Sequence, residues 1–225
     1  MKSHENCLIF SVVVRDHLAE LRDFTAERRH ERGQTVYCLD DPADEIYLVR
    51  EGRVKILRLS PDGQQKTLDI YQPGDFFGEL CICGGQRRTE QAVALEPLHT
   101  TCFQVQGLMK LLRRSPDMVL ELLQLLCARL RESHDQIASL AFDNIPRRLA
   151  RELLRLGREE KPVEGGAVVK LNLTHEELAQ LVGTSREMIT TIMNQFRQRG
   201  LLDYARRQIT LDPASMEKFL SLPQN

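Results

Sequence analysis

The sequence predicts an α+β fold with an N-terminal antiparallel β-roll (jelly roll), a long dimerisation helix and a C-terminal winged helix-turn-helix domain. Three observations predict it: short apolar segments separated by Gly and Pro, a long helical stretch with a heptad pattern, and two capped helices joined at one glycine. We expect the roll to occupy residues 1–115, the long helix residues 116–144 and the helix-turn-helix domain residues 145–225.

Composition limits the class of protein. The 225 residues are 42% hydrophobic and 28% charged, which is enough for two modest domains and untypical of disorder. The chain has no apolar run long enough to span a membrane, and its stretch from Cys7 to Val14 lacks the features of a signal peptide. We therefore expect a soluble cytoplasmic protein with no membrane partner.

The cysteines predict neither a metal site nor a disulfide scaffold. Six cysteines in a chain of 225 residues are too sparse for a secreted disulfide framework. Cys81 and Cys83 form a C-x-C pair without the second Cys or His pair that a zinc site needs. Cys38, Cys102 and Cys127 lie in apolar contexts, where we expect buried thiols.

Charge is distributed unequally along the chain. Residues 145–225 carry 13 Lys and Arg against 10 Asp and Glu, whereas residues 1–144 carry 18 against 22. The two parts therefore have net charges of +3 and −4, and the basic excess is C-terminal. This polarity is expected if the C-terminal part binds nucleic acid and the N-terminal part does not.

Segments between residues 24 and 106 have the length and composition of β-strands. The predicted strands include residues 35–39, 45–49, 53–59 and 66–70, which are rich in Val, Ile, Leu and Tyr. In the third of these, strict alternation predicts that Val54 and Ile56 share one face and that Leu57 lies on the other. The Pro-Asp-Gly sequence at 61–63 predicts the tight turn that follows.

The stretch from Asp117 to Phe142 is predicted to be one long helix with a coiled-coil seam. Seven positions follow alternating steps of four and three residues, which is the a/d spacing of a two-stranded coiled coil. Six are apolar and form the predicted dimer interface: Val119, Leu123, Leu126, Leu130, Ile137 and Leu140. The seventh, Ser133, is flanked by Arg129 and His134. It is either a tolerated Ser in a core helix or a notch for a partner or small ligand.

Two helices joined at Gly183 predict a helix-turn-helix. The first begins with a capping box, in which the side chains of Thr174 and Glu177 each accept a backbone N–H of the other residue. Gly183 ends it because glycine tolerates a left-handed backbone, and Thr184 and Ser185 cap the second helix. The residues predicted to be buried are Leu178, Ala179, Leu181, Val182, Ile189, Ile192, Met193 and Phe196.

The opposite face of the second helix is predicted to read DNA. Arg186 can donate two hydrogen bonds to guanine, and Glu187 can accept one from a cytosine amino group. Arg206 and Arg207 lie at the tip of a predicted strand-turn-strand wing, where they would bind phosphates. The predicted DNA-binding residues are Thr174, Thr184, Ser185, Arg186, Glu187, Thr190, Thr191, Arg206 and Arg207. The alternative is a helical hairpin with an ordinary surface Arg-Glu pair.

A second candidate site lies in the β-rich half, in residues 73–80 and 87–90. Gly78 allows a tight backbone turn, and Glu79 supplies a carboxylate acceptor. Arg88 and its neighbouring Thr can bind a phosphate. From these residues alone, a pair of solvated turns is the alternative.

The two sites together resemble those of bacterial transcription regulators of the catabolite-activator/fumarate-nitrate-regulator (CRP/FNR) family, and the likeness covers nearly the whole chain. It is carried by Gly33, Gly52, Pro73-Gly74-Asp75, Phe77-Gly78-Glu79-Leu80, Arg88-Thr89, Leu140-Ala141-Phe142 and Gly183-Thr184-Ser185-Arg186-Glu187. The resemblance implies a roll of the cyclic-nucleotide-binding type, a long dimer helix and a winged helix-turn-helix domain.

In the cyclic-AMP-responsive members, a phosphate-binding cassette in the roll holds the nucleotide. The resemblance assigns the ribose hydroxyl to Glu79 and the cyclic phosphate to Arg88 and Thr89. Counting back from Leu140–Phe142 gives the matching positions on the long helix. The implied effector-binding residues are Gly78, Glu79, Leu80, Arg88, Thr89, Arg129, Ser133 and His134.

Several positions depart from the family pattern. Glu90 stands where cyclic-nucleotide sites usually have a small residue, and its charge repels a phosphate. His134 replaces a Ser, and Thr191 replaces an Arg that reads a second guanine, so we expect a different operator. Cys7 and Cys38 alone do not make the N-terminal cysteine cluster of the iron–sulfur members.

We expect a homodimeric transcription regulator that binds a palindromic double-stranded DNA operator, contacts RNA polymerase and is not an enzyme. A small effector, cyclic AMP or a related nucleotide, would realign the two long helices, and a hinge at Asp143 and Asn144 would set the spacing of the recognition helices. No catalytic set, metal site or covalent cofactor is predicted. Two alternatives stay open: a relative that binds no nucleotide and senses redox or gas or is constitutive, and a cyclic-nucleotide-binding regulatory subunit that acts through protein contacts.

Overall fold

A computed structural model describes residues 21–84, 86–159, 169–205 and 208–222. The chain divides into two units, Met1–Ser133 and His134–Asn225, and the boundary falls within the long helix. The predicted wing tip at Arg206 and Arg207 lies outside the described residues, as does Cys7. The predicted α+β architecture, with roll, long helix and winged helix-turn-helix, is confirmed.

Among the described residues, eight strands build the N-terminal roll. They are β1 (Thr25–His30), β2 (Thr35–Tyr37), β3 (Glu45–Glu51), β4 (Val54–Leu59), β5 (Gln65–Tyr71), β6 (Phe76–Phe77), β7 (Gln91–Ala94) and β8 (Leu98–Gln104). One antiparallel sheet has the order β1-β8-β3-β6, and the other has the order β2-β7-β4-β5. The predicted strands at 35–39, 45–49, 53–59 and 66–70 therefore all exist, with ends that differ by up to two residues.

The packing of the roll agrees with the alternation predicted for β4. Val54 and Ile56 lie in one core cluster, which does not include the buried Leu57. β4 pairs with β7 without a register shift. Its register against β5 does shift, since Ile56 pairs with Asp69 and Leu57 with Thr67, so the extra residue of this bulge belongs to β5. A hydrophobic pattern alone does not reveal such a bulge.

Two helices follow the roll, α1 (Val105–Leu112) and α2 (Pro116–Phe142). One face of α2 packs into a core cluster with strands of the roll through Met118, Leu122 and Leu125, which are at most 7% exposed. The predicted seam lies on another face. Its members Val119, Leu123, Leu130, Ile137 and Leu140 are 45–62% exposed, whereas Leu126 is half-buried against the core cluster.

In the part that the structure describes, the C-terminal unit combines the end of α2 and four further helices with a small sheet. Its elements are α3 (Ile145–Glu159), β9 (Val169–Asn172), α4 (His175–Val182), α5 (Arg186–Gln198), β10 (Leu202–Ala205), β11 (Gln208–Leu211) and α6 (Pro213–Ser221). The three strands are antiparallel in the order β10-β11-β9. Every residue of α4 and α5 predicted to be buried is buried, so the packing of the helix-turn-helix is confirmed.

The cysteine prediction is partly wrong. Cys102 is buried in the roll, and burial raises the pKa of its thiol to about 11. Cys38 and Cys127 are exposed, because Cys38 lies in a turn after β2 and Cys127 on an outward face of α2. Within the described ranges, no cluster of His, Cys, Asp and Glu fits a metal ion, and no helix is long and apolar enough to cross a membrane.

Candidate effector and nucleic-acid sites

Gly78 forms the turn between β6 and the short 3-10 helix at Glu79–Cys83. Its backbone is left-handed, with φ of 79°, which glycine adopts without strain. A Cβ at this position would also lie 2.8 Å from Nη1 of Arg88. The glycine thus serves both the turn and the close approach of the guanidinium, which brings two of the predicted effector residues together.

Arg88 is buried, with 4% of its surface exposed. Its Nη1 donates to the Gly78 carbonyl at 2.9 Å, and its Nη2 donates to the Glu45 carbonyl at 2.5 Å. The Cys81 thiol contacts the same two carbonyls at 3.0 and 3.7 Å, and burial raises the pKa of that thiol to about 11, so it stays protonated. The described hydrogen bonds of Arg88 therefore go to neutral oxygens, and none neutralises its charge.

A loop after β2 holds the backbone of Arg88 in place. The Asp40 amide donates to the Arg88 carbonyl and the Arg88 amide to the Asp41 carbonyl, both at 2.9 Å. Pro42 and Arg87 extend this pairing as an isolated β-bridge. Asp40 adopts a positive φ of 66°, a conformation that Asp tolerates better than most residues. The loop supplies a local ladder in a part of the chain that lacks a regular strand.

Aromatic rings form one wall beside Arg88. Its Cζ lies 4.2 Å from the Tyr37 ring centroid and 5.6 Å from that of Tyr47. Phe77 stacks on both rings, with centroid distances of 6.2 and 4.9 Å. The Tyr47 hydroxyl donates to Oε2 of Glu45 at 2.9 Å. Sequence patterns did not identify these residues, because apolar strand positions give no signal that separates core packing from a site wall.

Two polar atoms of this cluster are buried without a hydrogen-bond partner among the described residues. They are the Tyr37 hydroxyl and Nε of Arg88. Tyr37 is 4% exposed, as is Arg88. Both atoms are donors, and buried donors are rarely left unpaired. The cluster therefore fits a ligand that brings acceptor oxygens or negative charge.

Glu79 forms an ion pair with Arg129 of α2. Oε1 of Glu79 lies 2.6 Å from Nη1 of Arg129, and the two side chains are 11% and 13% exposed. Arg129 also donates to the Phe76 carbonyl and lies over the Tyr71 ring at 4.6 Å. The long helix is thus joined by a largely buried charge pair to the residue that follows Gly78.

The other four predicted effector residues, Leu80, Thr89, Ser133 and His134, are exposed. The Ser133 hydroxyl donates to the Arg129 carbonyl one turn earlier at 3.0 Å. Glu90, which departs from the family pattern, is half-buried. Burial raises the pKa of its carboxyl and the charge of Glu79 adds to the increase, while Thr89, Arg88 and Arg58 act against it.

The second helix of the helix-turn-helix, α5, is capped at its N-terminus by a side chain. The Ser185 hydroxyl accepts from the Met188 amide at 3.2 Å, and Gly183 ends α4 with a left-handed backbone. The predicted capping box at Thr174 and Glu177 is present. Arg186 and Glu187 are exposed. The pKa of the Glu187 carboxyl is lowered by hydrogen bonds from the backbone amide of Glu187 and from the Ser185 hydroxyl. The helix therefore presents a cation and an ionised carboxylate side by side.

A network behind α5 was not predicted from the sequence. The Thr190 hydroxyl donates to the Arg186 carbonyl at 2.9 Å, and Nδ1 of His175 lies 2.9 Å from the same hydroxyl oxygen. The His175 ring packs edge-on against Tyr204 at 5.1 Å. Burial lowers the pKa of His175, and Arg186 lowers it further, so the imidazole is neutral near pH 7. Lone residues on separate elements gave no motif from which to predict these contacts.

The predicted hinge contains an organised charge cluster. The Asp143 carboxylate accepts from Ser139, Arg147 and Arg151. Burial acts to raise the pKa of Asp143, but these hydrogen bonds outweigh it and keep the pKa below its usual value. Arg147 also donates to the carbonyls of Leu220 and Leu222, which ties the start of α3 to the end of α6.

A roll followed by a long helix and a helix-turn-helix domain defines a class of DNA-binding transcription regulator. Residues 27–115 match the cyclic nucleotide-binding domain model, and residues 147–219 match the Crp-like helix-turn-helix domain model. The chain belongs to the CRP/FNR family of transcription regulators, as its resemblance to that family predicted.

Relatives and solved structures agree with this assignment. A CRP-like cAMP-activated global transcriptional regulator of Mycobacterium tuberculosis is 38% identical over 170 residues, or 75% of this chain and 76% of the relative. A cyclic AMP receptor protein of Thermus thermophilus is 31% identical over 78% of each chain. The structure of the regulator CLP of Xanthomonas campestris, described as c-di-GMP responsive, has a TM-score of 0.74 at 25% identity and covers 88% of this chain and 98% of that one.

Proposed function

We propose that this regulator is a homodimer that binds a palindromic operator under the control of a cyclic nucleotide, with cyclic AMP the first candidate. The observation that carries the proposal is the buried Glu79–Arg129 pair, because it joins the predicted ribose-binding carboxylate to the long helix. RNA polymerase is the protein partner expected for a regulator of this class. Two relatives, one named as a cAMP-activated regulator and one as a cyclic AMP receptor protein, support the choice of nucleotide.

The chemistry of the cluster supports an anionic ligand. Arg88 directs two N–H groups at carbonyl oxygens and has an unpartnered Nε, so its charge is left to attract a phosphate. A bound cyclic nucleotide would supply that phosphate and a ribose hydroxyl. The residues proposed to hold it are Gly78, Glu79, Leu80, Arg88, Thr89, Arg129, Ser133 and His134.

Signal transmission would begin at the Glu79–Arg129 pair. A ribose hydroxyl that donates to the largely buried Glu79 carboxylate would add a hydrogen bond to it. Because Arg129 is paired with the same carboxylate, this new bond would change the position or the strength of the Glu79–Arg129 pair. Arg129 lies on α2, so its response acts on the helix that carries the predicted seam. We propose that this shifts the alignment of the paired helices and, through Asp143 and Asn144, the spacing of the recognition helices.

The experiment titrates purified protein with cyclic AMP, cyclic GMP and c-di-GMP by calorimetry and follows DNA affinity in parallel. A fluorescent palindromic operator selected from random sequence reports DNA binding with and without each nucleotide. We expect one nucleotide to bind and to tighten operator binding, with a coupling of about 5- to 150-fold. Operator binding that no nucleotide changes would refute nucleotide control and leave DNA binding intact.

The dimer is tested at the seam of α2. Leu130→Glu places a charge at an exposed apolar seam position, and we expect sedimentation to show monomers at concentrations where the wild type is dimeric. Leu39→Glu is the matched control, since Leu39 is an exposed leucine of the roll outside the helix and is 49% exposed against 56% for Leu130. A dimeric Leu130→Glu variant would contradict the proposed interface.

Glu90 favours a second candidate, a family member that binds no nucleotide. Its carboxylate interacts unfavourably with Glu79 and favourably with Arg88, so it would compete with a phosphate for that cation. In that case Glu90 would be the internal anion of the cluster, and the protein would be constitutive or respond to another signal. The nucleotide panel decides between the two candidates.

A further inference from the structure

The buried Tyr37 hydroxyl has no role in the packing of the roll. The ring of Tyr37 stacks near Tyr47 and Phe77 and supports Arg88, and a phenylalanine ring would make the same contacts. The hydroxyl itself is buried and has no hydrogen-bond partner among the described residues. By contrast, the hydroxyl of the neighbouring Tyr47 is bonded to Glu45. Tyr37 thus keeps an unpaired donor in an interior where a phenylalanine would fit.

An unpaired buried hydroxyl opposes folding, because it loses its bonds to water and gains none in return. The second unpaired donor, Nε of Arg88, belongs to the guanidinium that stacks on the same ring at 4.2 Å. The Tyr37 hydroxyl and Nε of Arg88 are therefore two donors, in one stacked pair, that each require a hydrogen-bond acceptor. A single anion with several oxygens is the ligand that meets both needs at once.

We propose that Tyr37 is an effector-binding residue whose hydroxyl donates to the anionic phosphate of the bound nucleotide, alongside Nε of Arg88. This inference rests on the proposed function and adds a residue to it. Tyr37 lies in β2, outside the phosphate-binding sequence motif. The guanidinium of Arg88, which stacks on the Tyr37 ring, would attract the same phosphate.

Tyr37 would also select for an anion over a neutral ligand. Glu79 and Glu90 bring two carboxylates to the surroundings of the cluster, and a phosphate needs donors to offset their repulsion. The Tyr37 hydroxyl is a neutral donor, so it stabilises a phosphate without adding a positive charge that the two carboxylates would pair with. This explains why a donor rather than a cation occupies the position.

The test compares Tyr37→Phe with the wild type in two measurements. Calorimetry with cyclic AMP, cyclic GMP and c-di-GMP gives the Kd, and thermal unfolding of the ligand-free protein gives the Tm. We expect Tyr37→Phe to weaken binding of the preferred nucleotide about tenfold or more, because a hydrogen bond to a charged group is lost. We expect its ligand-free Tm to be unchanged or higher, because the unpaired hydroxyl is removed. A purely structural residue would show the opposite pattern.

Tyr204→Phe is the control, since it removes a tyrosine hydroxyl that is bonded to Asn194 in the C-terminal unit, away from the effector cluster. We expect an unchanged Kd for the nucleotide and a Tm that does not rise. The inference is overturned if Tyr37→Phe binds the nucleotide with the same Kd as the wild type, or if its ligand-free Tm is lower. In either case, nucleotide binding by the wild type would still support the proposed function. A wild type that binds none of the three nucleotides overturns both the inference and the nucleotide part of the proposed function.

Discussion

The cluster around Arg88 and the recognition helix α5 both present arginines, but in opposite environments. Arg88 is 4% exposed and bonded to backbone carbonyls, whereas Arg186 is exposed at a helix N-terminus. The cluster contains buried donors for which the described part of the chain supplies no partner, while the N-terminus of α5 is capped. The proposed effector site therefore lacks acceptors that a bound ligand would supply, whereas the N-terminus of α5 has its capping partner, Ser185, within the chain.

This difference predicts where mutations act. In the roll, an arginine that shapes the site also stabilises the fold, so stability and binding should change together. On α5, the arginine contributes little to packing, and DNA affinity should change alone.

The largest effect is expected from Arg88→Ala. The carbonyls of Gly78 and Glu45 lose their shared donor, which we expect to lower the free energy of unfolding by about 2–4 kcal/mol and to abolish nucleotide binding. Relief from burying a charge and the remaining Cys81 contacts offset part of this loss. Urea unfolding and calorimetry measure the two quantities.

Arg87→Ala is the matched control for this variant. Arg87 is exposed, and its described side-chain hydrogen bond is to the Asp40 carbonyl at 2.7 Å. We expect its removal to change the free energy of unfolding by less than about 1 kcal/mol. An Arg88→Ala protein as stable as Arg87→Ala would show that the buried guanidinium does not hold the turn at Gly78.

Arg186→Ala should have the next largest effect, and on DNA binding alone. We expect operator affinity to fall by about 1–3 kcal/mol and the preference at one base pair to relax, with the free energy of unfolding unchanged. Operator selection and fluorescence binding check this at one salt concentration. Lys218→Ala removes an exposed cation from α6 in the same unit and should keep the base preference. Unchanged selectivity in Arg186→Ala would remove it from the set of base-reading residues.

The same contrast explains what could be predicted from the sequence. The helix-turn-helix is built from local signals, such as the capping box at Thr174 and the left-handed Gly183, and its two helices and their buried faces were predicted. Glu79 and Arg88 were implied by a family motif. Tyr37 and Tyr47 reach the cluster from different strands, and the strand register that brings them to Arg88 is a long-range property that no local pattern records.

The bulge in β5 is long-range in the same way. A period of two predicts the faces of a strand, but the extra residue that β5 carries opposite Ile56 and Leu57 depends on its pairing with β4. His175 is another case, because its contact with Thr190 joins two helices across a turn. Sequence therefore predicted elements and capped ends well, and side-chain clusters assembled from several elements less well.

The smallest effect concerns Glu90 and the pH dependence of effector binding. Burial and the charge of Glu79 already raise the pKa of Glu90, and a bound phosphate would raise it further. Nucleotide binding should therefore take up a proton. Nucleotide affinity is therefore highest below the pKa that Glu90 has in the free protein, where Glu90 is protonated and does not repel the phosphate. This gain in affinity is lost as pH rises through the higher pKa that Glu90 has in the complex.

We expect the Kd of the wild type to increase roughly fivefold between about pH 5 and pH 8, which corresponds to a repulsion of about 1 kcal/mol between two partly screened charges. Calorimetry in two buffers with different ionisation enthalpies measures the proton uptake directly. Glu90→Gln keeps the shape of the side chain and should bind with a Kd that hardly changes over this range. If the pH dependence persists in that variant, another group takes up the proton, and Glu90 does not oppose the phosphate as proposed.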